Sequence, residues 1–352
     1  LKKIILLLCL VFTANFFAAD SHAGDSPGAD PGYRVTKRLK VGGEGGWDYL
    51  TVDGAARRLY ISRSTHVMVI NLDSGKVAGD IPNTPGVHGI ALAPELGRGF
   101  ISNGKSDSST IFDLKTLRVL GSVRTGGNPD CILYDPASQK VFTFNGRSKD
   151  ATLFAAASGK LLGTIALGGK PEFAAADGKG RVYVNIEDTN EVVELDSLAG
   201  RALRRFSLSP CDEPTGMGLD AERHLVFSGC HSKTMTVLDV ATGKVIAQVP
   251  IGAKVDANAF DPGTGLAFSS NGDGTLTVAR EVSPGFFRAV QTVATQKGAR
   301  TMALDPKTHA VYLPAAQFTQ PKDAARAGSK ERPVMVPGSF EVLVVESVKK
   351  SR

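Results

Sequence analysis

An apolar–aromatic phrase that returns seven times at a spacing near 42 residues, glycine at 39 of 352 positions and a lack of helical periodicity predict an all-β fold. A four-stranded unit of that length, repeated seven times, is a seven-bladed β-propeller with four antiparallel strands per blade. Each phrase is a strand usually ending at Asp, a short turn, and an apolar-aromatic strand. The seven stand at residues 48–53 with Leu59-Tyr60-Ile61, 88–93 with Gly99-Phe100-Ile101, 130–135 with Val141-Phe142-Thr143, 172–177 with Val182-Tyr183-Val184, 215–220 with Leu225-Val226-Phe227, 256–261 with Leu266-Ala267-Phe268, and 300–305 with Val311-Tyr312-Leu313. Markers in the second strand (Tyr60, Phe100, Phe142, Tyr183, Val226, Ala267, Tyr312) are 40, 42, 41, 43, 41 and 45 residues apart. Helical solenoids share the length but not these short runs bounded by Gly, Asp and Pro.

The outer two strands of a unit are also legible. Residues 67–72, Asp73-Ser74-Gly75-Lys76 and 77–81 read as strand, tight turn, strand, and so do 152–156 with 161–167 and 234–240 with 245–251. Unit seven supplies strands at 300–304, 310–313 and 340–346 but has no room for a fourth. An unused strand at 33–41 precedes unit one, and pairing it outside 340–346 completes the last blade from both chain ends. The propeller then spans residues 33–348, with 319–338, rich in Pro and charge, as an inserted loop.

Ahead of it, Lys2 and Lys3 precede an apolar run over 4–19, and Ser21-His22-Ala23 offers a small-residue exit. Residues 1–23 therefore read as a Sec-type signal peptide and 24–32 as a linker. Leu1 in place of Met fits an alternative start codon in a bacterial gene. The expected location is the periplasm, with no transmembrane segment in the mature form. A formal net charge of +6 is modest for 352 residues and does not mark a nucleic-acid binder.

Five residues before each strand-end position stand Asp48, His88, Asp130, Glu172, Thr215, Asp256 and Arg300. First strands of a propeller line its central channel, so this column is expected to ring one mouth. Carboxylates converging with an imidazole suit a divalent cation or a cationic small molecule, and crowded carboxylates raise one another's pKa. The other reading is a wet rim whose polar residues tie blades together. Trp47, the single Trp, is either a stacking platform beside the column or a core plug.

Of the four cysteines, Cys9 falls in the leader. Cys211 precedes the first strand of blade five and Cys230 ends the second, so antiparallel neighbours bring them together; a disulfide is the leading reading, a metal site with His231 the second. Cys131 reads as a buried thiol. His66, His224 and His309 are expected in loops, facing water. Motifs for covalent haem, a nucleophile elbow, a zinc protease or a Walker loop are absent, and 271–274 reads as a hairpin turn rather than a calcium loop.

Phrases such as Leu59-Tyr60-Ile61-Ser62 and Val182-Tyr183-Val184-Asn185, with the Asp239–Lys244 turn, resemble the YVTN-type β-propeller repeat family over roughly residues 33–346. The resemblance implies a secreted seven-bladed propeller like bacterial periplasmic members, and one periplasmic relative is associated with single-stranded DNA. The wider superfamily includes propellers that hold haem d1 or partner quinone-dependent amine dehydrogenases. It implies no single activity.

The favoured reading is a binding or interaction propeller, probed at its channel mouth by an unknown protein or small molecule, monomeric and without catalysis. One alternative is a lactonase- or lyase-like enzyme using a ring-bound metal as Lewis acid. The other is single-stranded DNA binding; nucleic acid is the weakest partner class, because Lys and Arg are dispersed and the ring is acidic.

Overall fold

A computed structural model describes residues 31–319 and 333–348. Seven four-stranded antiparallel sheets form the ring. Blade one runs, from the axis outward, through Leu50–Asp53, Arg58–Arg63, His66–Asn71 and Lys76–Ile81, and blades two to six repeat that order. Blade seven is composite: Ala303–Asp305, Ala310–Ala315, Glu341–Ser347 and, outermost, Tyr33–Lys40. The closing pair is antiparallel, with Tyr33 opposite Ser347 and Lys40 opposite Glu341. The predicted leader and most of the linker lie outside the described residues. So does the middle of the predicted 319–338 insertion, whose base is a small ladder of Phe318–Thr319 with Val334–Met335. Among the described residues no helix is long and apolar enough to cross a membrane.

Hydrophobic burial explains the ring. Second and third strands are buried on both faces, so they read as nearly continuous apolar runs, whereas the outermost strands are largely exposed. The buried apolar residues fall into seven clusters, one in each blade-to-blade interface. The seam between blades seven and one is as apolar as the rest: Leu59, Ile61, Met68 and Ile70 pack on Ala310, Val342 and Val344. Ring closure therefore buries a full interface as well as pairing an open edge.

Polar ties reinforce these interfaces on the face where first strands end. The Asp closing a first strand caps the turn that follows: Asp53 accepts from Ala56 N–H (2.8 Å), Asp261 from Gly263 N–H (3.0 Å). Two also reach the next blade. Arg57 of blade one binds Asp305 of blade seven at 2.8 Å, and His309 of blade seven contacts Asp261 of blade six at 2.8 Å. His309 is thus a seam residue, not the freely solvated loop histidine that its sequence position implies. The Asp239–Lys244 turn behaves as read: Asp239 accepts from Ala241 N–H (2.9 Å) and from the Thr242 hydroxyl (2.8 Å), while Gly243 takes φ +73°.

Candidate functional site at the channel mouth

The column residues sit at the start of first strands or, for Asp48 and Arg300, two and three residues ahead of them, and a local irregularity aims most of them. In each of blades two to six the ladder between first and second strands breaks register at or beside the column position: Val87/Ile90, Pro129/Ile132, Pro171/Ala174, Pro214/Met217 and Val255/Ala257. A bulge re-aims the side chain it carries. Hydroxyl and amide groups of the second strands then hold this backbone. Ser62 Oγ accepts from Asp48 N–H (3.0 Å), and Ser102 Oγ accepts from Gly89 N–H (2.8 Å) and donates to the Asp130 carbonyl. Asn185 Nδ2 donates to the Thr215 carbonyl (2.7 Å), and Ser270 Oγ to that of Arg300.

Three consecutive blades bring Asp48, His88 and Asp130 together. His88 Nδ1 lies 2.6 Å from Asp48 Oδ2 and 3.7 Å from Asp130 Oδ1, and one donor atom from each residue falls within 4.8 Å of the others. Gly104 makes room for the far edge of the ring, since a Cβ there would stand 2.7 Å from His88 Nε2. Glu172 faces Lys170 Nζ at 3.1 Å, and Lys170 also binds Glu187. Asp256 lies 3.5 Å from Arg300 Nε, whose side chain is 57 % exposed.

Burial in a shared negative field shifts these groups. It opposes charging of His88, yet the hydrogen bond to Asp48 and the charge of Asp130 prevail and lift the imidazole to about 9. Burial, then the charge of Glu172, pushes the Asp130 carboxyl well above the usual carboxylate range. Burial pushes Glu172 up to about 7 against the pull of Lys170, and Asp256 up to about 6 against that of Arg300. The field reaches across the axis: Asp256 adds to the rise at Glu172, and Asp48 to the rise at Asp256.

One column assignment, Thr215, is corrected, and of the two readings of Trp47 beside the column the core plug holds in place of the ligand platform. Thr215 is 3 % exposed, and its hydroxyl faces the carbonyls of Gly229 and Val255 at 3.3 Å each; it ties blade five to blade six and offers nothing to the axis. Trp47 packs 5.4 Å from Phe340 and 5.9 Å from Phe318, so it plugs the seam between blades seven and one. Cys211 and Cys230 are joined by a disulfide with Cα atoms 5.5 Å apart, and Cys131 is a buried free thiol.

Other residues at the mouth escape the sequence reading. Tyr49 reaches from blade one to blade four, donating from its hydroxyl to the Glu172 carbonyl (3.2 Å) and stacking on Phe173 at 5.3 Å. It thereby crosses the channel beneath the acidic ring. Lys170 lies in the connector ahead of the first strand of blade four, and Glu187 opens the 3-10 turn that follows its second strand. His231, the sequence's second candidate beside the cysteines, pairs instead with Glu213 in blade five. Only adjacency to a column residue marks Tyr49 and Lys170 in the sequence.

A solved chain of hydrazine synthase from Kuenenia stuttgartiensis has the same fold. It superposes with a TM-score of 0.65 at 16 % identity, over 78 % of this chain and 93 % of that one. At that identity the likeness carries the fold alone. No family profile matches the chain, and no curated protein matches it in sequence.

A shallow cavity of about 410 Å³ opens on the opposite face between blades five and six. Arg223 there binds Asp220 at 2.6 Å and also Glu281, so its charges already neutralise one another in part.

Proposed function

We propose that this propeller is a cation-binding protein whose mouth holds a divalent ion on Asp48, His88 and Asp130. One observation carries the reading: three donor atoms from three successive blades lie within 4.8 Å of one another, inside a ring whose remaining carboxyls deepen the negative potential. Two carboxylate oxygens and one imidazole nitrogen suit a borderline ion such as Mn²⁺ or Zn²⁺ better than Ca²⁺, which takes six to eight oxygens. Three protein ligands leave coordination positions open to a small molecule or a partner's side chain. The ion competes with the proton that His88 otherwise holds between two carboxylates.

Chelator-treated protein titrated with Mn²⁺ and Zn²⁺ in a calorimeter should bind one ion per chain, and Asp130→Asn should abolish the heat. Absence of binding in the untouched protein overturns the reading. The same open positions support the hydrolytic alternative, which requires lactone cleavage by the loaded protein and its loss in Asp130→Asn. DNA binding gains no such support, because Lys170 and Arg300 at the mouth face carboxylates of their own.

The working place we infer is outside the cytoplasm. The Cys211–Cys230 disulfide supports it, since oxidising compartments sustain such bonds, as does the reading of residues 1–23 as a leader. Fractionation of a host expressing the full chain tests this; recovery of the protein only in the cytosol contradicts it.

A further inference from the structure

Arg63 ends the second strand of blade one and is fully buried, the largest side chain in that state among the described residues. Within the described residues its guanidinium meets no carboxylate. It donates to the carbonyls of Gly42 (3.1 Å) and Gly45 (2.9 and 3.2 Å), and it lies 3.7 Å over the ring of Phe340. Burying a cation without an ionic partner is costly, and an apolar side chain of similar length would fill the space without that cost. What an apolar side chain lacks is a fork of donors that holds two carbonyls at once.

Those carbonyls belong to the segment that carries the chain from the closing strand to Asp48. Its backbone is made for the wrap: Gly42, Gly43 and Gly45 take φ of +61°, +84° and +84°, and a Cβ on Gly45 would meet the Arg63 carbonyl at 2.8 Å. The end of the same strand holds the remainder, with Ser62 binding Asp48 N–H (3.0 Å) and the Tyr49 carbonyl (3.3 Å). Trp47, next to Asp48, leans on Phe340, the ring that Arg63 covers. Blade five solves the same problem differently. Cys230, also the last residue of a second strand, is bonded to Cys211 in the connector ahead of that blade's first strand.

We propose that Arg63 is a positioning residue for the mouth, clamping residues 42–48 so that Asp48 is held against His88. The functional half rests on the cation-binding reading above; the structural half does not. Trp47 is the only tryptophan in the chain, so its emission reports on the clamped segment directly. In Arg63→Met that emission should shift to the red with greater acrylamide quenching, and Mn²⁺ affinity should fall at least about tenfold, the loss usual for residues that orient metal ligands. Asp48→Asn should weaken Mn²⁺ by at least as much, and the double variant no further, because Arg63 acts through Asp48. Gly45→Ala, which pushes the segment off Arg63 from the other side, should reproduce the Trp47 shift and serves if Arg63→Met does not fold. Unchanged Trp47 emission in a folded variant, or losses that add with Asp48→Asn, overturn the clamp. If the untouched protein binds no Mn²⁺, the cation reading fails alone; Trp47 emission and the imidazole NMR shifts of His88, bonded to Asp48, still decide the clamp.

Discussion

Asp256 shows what the mouth costs the fold. Its carboxyl stands at about 6 in the folded chain against an ordinary 3.8, raised by burial. A folded value above the unfolded one means that the stability it contributes is fully present below pH 4 and lost as the pH rises through about 6. Asp256→Asn should therefore stabilise the protein at pH 8 by about 1–2 kcal/mol and change little at pH 4. Melting temperatures at the two pH values check this, and equal melting at pH 8 refutes it. A group that destabilises its own fold at neutral pH fits a site tuned for a ligand better than a rim tie. Asp48, His88, Asp130, Glu172 and Asp256 were legible as a column because a repeat aligns them. Thr215 was misread because alignment gives position along a strand and says nothing about rotamer: its hydroxyl found two buried carbonyls. Tyr49 was missed because no spacing relates blade one to blade four.

The elements follow from local chemistry, and the connectors do not. Turns such as Asp239–Lys244 are specified by an Asp that caps and a Gly that accepts positive φ, so they were readable. The register breaks of blades two to six, which aim the column, left no mark in composition; they lie at the start of each first strand, next to the connector from the preceding blade. Fixing the connectors takes special chemistry at the ends of second strands. In blade five this is the disulfide, closing a separation of 19 residues. Replacing Cys211 and Cys230 with Ser should cost about 3 kcal/mol, the loop-closure entropy of such a span, measurable by denaturant titration. Because blade five lies far from the seam, Trp47 emission should not change in that variant. A shift there would mean that the mouth responds as one unit and that anchoring is not local.

At the scale of the molecule, stability depends on closure. Deleting residues 31–40 removes Tyr33, which meets Phe268 at 5.1 Å and exchanges hydrogen bonds with Gln291, and it opens the edge of Glu341–Ser347. The truncated protein should lose its single cooperative calorimetric transition and aggregate at that edge. A sharp unfolding peak at the original temperature would show that six complete blades suffice. Blade number, strand order and the use of the first strand to complete the last blade were all readable in the chain, because continuous apolar runs and turn residues recur at every copy. Which polar residues face one another was settled only when the ring closed. Charges some forty to two hundred residues apart in sequence then share one buried field, and a guanidinium with no carboxylate beside it among the described residues becomes the brace of a loop. Such long-range electrostatics and buried hydrogen bonds depend on distances in space, which repeat spacing orders but does not supply.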